Sequence, residues 1–83
     1  MVKSKKVSDE VLEKIANDTY QSLMGITKIS RPKKIFLCGA DLPYLIKVRH
    51  ELQKKFDDSV EIFIGRGGYS VNVGQCINYY LKS

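Results

Sequence analysis

The feature that most constrains this chain is the run Ile35-Phe36-Leu37-Cys38, continuously apolar and closed by Gly39. An alternating pattern would mark a strand with one wet face. A run without alternation reads as a strand buried on both faces, the kind found inside parallel sheets. A second strand reads from Val60-Glu61-Ile62-Phe63-Ile64 to Gly65, rich in β-branched and aromatic residues. Between them Leu42, Leu45, Val48, Leu52 and Phe56 recur at helical spacing, with Lys47, Glu51, Lys54 and Lys55 off that stripe. Asp41 offers an N-cap, Pro43 falls in the first turn, and Asp57-Asp58-Ser59 reads as the turn after Phe56. A strand–helix–strand unit of this length predicts two parallel strands joined by a right-handed crossover.

The flanks add helices. Ser8 can cap a helix with Asp9 and Glu10 in its first turn, followed by a stripe of Val11, Leu12, Ile15, Ala16, Thr19 and Leu23, with Gly25 as the stop. Ile29-Ser30-Arg31-Pro32 is a break before the first strand. After the second strand, Arg66-Gly67-Gly68-Tyr69-Ser70 reads as a glycine-rich loop, and from Ser70 or Asn72 the chain looks helical, with Val73, Ile77 and Leu81 in line. The expected fold is therefore α/β: a small Rossmann-like α-β-α-β-α unit with a two-stranded parallel core. Residues 1–7 form a flexible basic tail, and residues 8–83 a single domain. Two strands are too few for a strand as apolar as Ile35–Cys38. Either homo-oligomerisation or a partner chain completes the sheet, or the chain is the front of a larger α/β fold.

Composition narrows the class. With 83 residues there is room for one core. Apolar residues at 43% argue against disorder, and no apolar run approaches the ~20 residues that span a membrane. No membrane partner is expected. Two cysteines and one histidine make neither a disulfide framework nor a metal site, and no cofactor is expected. The chain reads as reduced and cytoplasmic. A net charge of +5 favours anionic partners without identifying one.

Ligands of open α/β sheets bind beyond the carboxyl ends of the strands. Two loops fall there: Gly39 leading to Asp41, and Gly65, Arg66, Gly67, Gly68 leading to Ser70. Glycines permit close backbone approach, helix starts attract phosphate, and Arg66 adds a forked donor. The pattern is neither the dinucleotide fingerprint nor a Walker loop. Arg49, one residue off the helical stripe, could reach over the sheet edge. His50 has no evident Asp or Ser partner, so no catalytic residue is singled out. Cys38 and Cys76 read as small buried hydrophobes. An alternative site is the basic cluster Lys28, Arg31, Lys33 and Lys34, which Lys3, Lys5 and Lys6 could join to contact nucleic-acid phosphates.

Ile35-Phe36-Leu37-Cys38-Gly39-Ala40-Asp41, then Arg49-His50-x-Leu52, then Val60-Glu61-Ile62-Phe63, resembles the opening of nucleoside 2-deoxyribosyltransferase-like proteins, in the version found as retron effectors in antiviral defence. The resemblance covers residues 33–64. TIR-type domains share this βαβ opening. The resemblance implies a nucleoside or nucleotide pocket, with Gly39 as the glycine after the first strand and Arg49 as the helix arginine. The catalytic glutamate of either family comes from a later segment that has no match here, and Glu51 and Glu61 stand on the wrong elements. The expectation is a nucleoside- or nucleotide-binding domain without catalysis of its own. The alternatives are a basic nucleic-acid-binding or regulatory module, or a structural subunit that completes a partner's sheet.

Overall fold

The computed structural model describes residues 7–27, 33–56 and 60–82. Most of the basic tail, Lys28 and Arg31 of the basic cluster, the break before the first strand and the turn at 57–59 lie outside the described residues. In chain order the elements are α1 (Asp9–Thr27), β1 (Lys34–Cys38), α2 (Leu42–Lys55), β2 (Glu61–Ile64), β3 (Ser70–Asn72) and α3 (Val73–Lys82).

The class is α/β, but the sheet has three strands rather than two. β1 lies in the centre, in the order β2-β1-β3, and both pairings are parallel. Ile35 pairs with Ile62 and Leu37 with Ile64 on one side, and Leu37 pairs with Val71 on the other. The apolar central strand thus finds both neighbours within the chain. The added strand is the segment expected to be loop and helix start. Phe36 N–H donates to Tyr69 O at 2.8 Å, so the pairing begins before Ser70, and α3 begins only at Val73.

The helices form where the stripes fall. Ser8 Oγ accepts the Val11 N–H at 3.3 Å, which caps α1. α1 continues through Gly25 to Thr27 instead of stopping there. Leu12, Ile15, Ala16, Thr19 and Leu23 are buried against Leu45, Val48 and Leu52 of α2, Val73 and Ile77 of α3, and Ile35, Leu37 and Ile62 of the sheet. Leu42 is 57% exposed and Leu81 also lies at the surface, so the ends of those two stripes miss the core. Lys47 joins α2 to α1 through Glu13 at 3.6 Å, and to Glu51 on its own helix at 3.4 Å.

One sheet face carries this packing. The alternate residues Ile35, Leu37 and Ile62 are buried, while Lys34, Glu61, Phe63, Ser70 and Asn72 on the other face are exposed, and Phe36 and Cys38 are half-buried. Among the described residues, no helix covers that second face. Parallel sheets are ordinarily covered on both.

Candidate functional site

At the carboxyl ends of the strands, the glycines serve the chain's own packing. Gly39 has φ +83° and lies against the Asn72 side chain, and Gly74 of α3 lies against the Gly39 carbonyl. Asn72 Oδ1 accepts the Gln75 N–H at 2.9 Å and caps α3. This corner seats the start of α3 on the end of β1. Asp41 heads α2 through its backbone: its carbonyl accepts the N–H groups of Tyr44 and Leu45, and its side chain makes no capping bond. Pro43 contributes no N–H there. The start of α2 therefore offers few free donors and carries an exposed carboxylate, a poor cradle for phosphate.

The second glycine loop has a different task. Gly65 N–H donates to Leu37 O at 2.8 Å and continues the β2–β1 ladder. The chain must then cross β1 to reach β3, and it does so over the uncovered face. Gly67 lies on the Phe36 ring so closely that a Cβ there would come within 3.0 Å of it. Ser70 Oγ donates to Gly67 O at 3.1 Å and accepts the Gly67 N–H at 3.4 Å, which closes this strap on itself. Arg66 and Gly68 flank Gly67 and are exposed.

Arg49 does reach the sheet edge. Its Nε donates to Ile62 O at 3.2 Å. One turn on, Gln53 Nε2 donates to Val60 O at 2.9 Å, and Gln53 Oε1 accepts the Ile62 N–H at 3.1 Å. The two α2 side chains meet β2 where a fourth strand would pair. Gln53 was not singled out from the sequence. Its one signal is its position four residues after Arg49 on the same helix.

The uncovered face is where exposed chemistry gathers. Phe36 and Phe63 stand side by side in register, ring centroids 5.4 Å apart and planes 24° from parallel. Phe63 remains 36% exposed. Lys34 and Glu61 pair in register on the same face two residues before them, and Ser70 and Asn72 extend it across β3. Of the basic cluster, Lys33 and Lys34 are described and exposed at the start of β1. The sequence gives no hint of this surface, because the apolar run of β1 reads as buried on both sides.

The cysteines sit nearer the surface than expected, both half-buried. Cys38 Sγ lies 3.7 Å from Val71 O. Burial, and then the Asp18 carboxylate, push the Cys76 thiol above its ordinary value, which opposes thiolate chemistry. Among the described residues, no group of three or more His, Cys, Asp or Glu side chains could hold a metal ion. No described helix is long and apolar enough to cross a membrane.

No family model, no curated protein and no solved structure matches the chain. The resemblance to the deoxyribosyltransferase-like proteins rests on residues 33–64 alone.

Proposed function

We propose that this protein is a binding module for a nucleobase-bearing ligand, held on the uncovered face of the sheet. The observation that carries this reading is the exposed Phe63 ring, stacked in register on Phe36 on a face that no described helix covers. Bases stack on exposed aromatic side chains whatever their identity, at about 1–3 kcal/mol per base. Lys34 lies two residues from Phe36 on the same face, and the exposed Arg66 precedes Gly67 in the strap, two cations that a phosphate-bearing ligand could use. Ser70 and Asn72 add hydrogen-bonding groups. Glu61 beside Lys34 opposes the phosphates and sets a limit on affinity.

The ligand class is the one the deoxyribosyltransferase resemblance implies, moved from the strand tips to the sheet face. A role in antiviral defence rests on that resemblance alone. The free thiols Cys38 and Cys76 fit a reducing, cytoplasmic setting.

A nucleobase comes from two sources, a free nucleotide or a single strand. Fluorescence anisotropy with labelled oligothymidine and with a labelled mononucleotide separates them. Binding to a single strand should weaken steeply between ~50 and ~200 mM salt, whereas a mononucleotide should respond far less. Phe63→Ala should lower affinity about tenfold, in line with the loss of one stacking partner. A wild-type chain that binds neither probe would overturn the reading, as would unchanged affinity in Phe63→Ala.

A further inference from the structure

The two edges of this sheet are treated differently. On β2, Gln53 and Arg49 engage the main chain at Val60 and Ile62. On β3, the register turns Tyr69 O and Val71 toward β1, so Ser70 directs its N–H and carbonyl outward and Asn72 its N–H, the Asn72 carbonyl standing at the N-cap of α3. A trough of about 340 Å³ runs beside that edge. α1 forms one wall with Asp18, Thr19 and Leu23, and α3 forms the other with Gln75 and Cys76.

We propose that the β3 edge and this trough accept an extended peptide segment of a partner protein by strand addition, with a basic residue of the peptide meeting Asp18. Main-chain hydrogen bonds to Ser70 and Asn72 give such a peptide its register, and the pockets beside the edge read its alternate side chains. Charge selects the occupant. Asp18 is the charged residue that lines the trough; it is exposed there, and its Oδ2 accepts the Tyr80 hydroxyl. α1 also carries Asp9, Glu10 and Glu13 against Lys14. A second copy docked here across a two-fold axis would set one acidic helix against another. A nucleic acid would set phosphate against Asp18. A peptide with a Lys or Arg has neither conflict.

The proposal uses the main chain of the β3 edge and Asp18, whereas the nucleobase reading turns on Phe63 on the sheet face. Random heptapeptides displayed on phage are selected against the purified full chain, and each enriched peptide is synthesised and titrated. The expected ligands carry β-branched residues and a Lys or Arg. N-methylation of alternate peptide amides should abolish binding, and Asp18→Asn should weaken it several-fold. Ser70→Pro, which removes an outward N–H, should abolish it, whereas Ser70→Ala, which removes the same Oγ bonds to Gly67 and keeps the N–H, should not, with folding of both checked by circular dichroism. Bound peptide should slow hydrogen exchange at the Ser70 and Asn72 amides. Phe63→Ala should leave peptide binding unchanged, and Asp18→Asn should leave oligothymidine binding unchanged, so the two readings fail separately. Absence of any enriched peptide overturns the proposal, as do peptides that bind equally well after N-methylation.

Discussion

The carbonyl of Gly39 lies against Gly74 in the first turn of α3, closer than a Cβ at position 74 would allow. Both groups are backbone, so neither can swing aside. In an open helix, Gly→Ala would add roughly 1 kcal/mol of stability. Here the overlap should dominate, and Gly74→Ala should destabilise the fold by about 1–3 kcal/mol. A lower urea midpoint with an unchanged slope is the expected result.

Gln53 should matter more than a half-buried surface glutamine ordinarily would. Its amide group joins β2 to α2 at Val60 and Ile62. Gln53→Ala should cost about 1–3 kcal/mol, because main-chain groups lose their partners. It should also expose the β2 edge to other chains. Sedimentation velocity across a concentration series should show self-association in the variant that is absent in the wild type.

On the sheet face, Lys34 and Glu61 should act with opposite sign. Lys34→Gln should weaken oligothymidine binding and reduce the salt slope by about one phosphate contact. Glu61→Gln removes a like charge from the phosphate path and should tighten binding. Anisotropy titrations of both variants across a salt series check this.

Tyr80 should titrate late. Its hydroxyl donates to the Asp18 carboxylate, and this bond, with burial and the nearby negative charge, pushes it up to about 12 from 10.0. The folded state holds the phenol protonated. The resulting stability is therefore complete below about pH 10 and is lost as pH rises toward the folded value. Ultraviolet tyrosinate titration should show a late phase from Tyr80, and Asp18→Asn should return it toward about 10.

The helices were legible because each keeps an apolar stripe over several turns. Leu45, Val48 and Leu52 read as core and are core. β1 was legible as a strand with a neighbour on each side, but the burial on both faces that its unbroken apolar run implied does not hold, since Phe36 and Cys38 are half-buried on the uncovered face. What failed was the identity of the second partner. Ser70-Val71-Asn72 carries one apolar residue and passes directly into α3, so its pattern is too short to separate from a loop or a helix start. The polar edge cap escaped notice because Gln53 and Arg49 look like any solvated helix face. Their role depends on where β2 lands. Gly39 and Gly67 stood out as glycines, but the groups that crowd them, Asn72 and Phe36, are brought close only by the tertiary fold.

The central place of β1 carries a consequence for synthesis. Both of its neighbours are encoded after it, Glu61–Ile64 and then Ser70–Asn72. As the chain leaves the ribosome, this greasy strand emerges with nothing to pair with and waits until residue 72 has cleared the exit tunnel. During that interval it is the segment most open to chaperone capture or to wrong pairing between nascent chains.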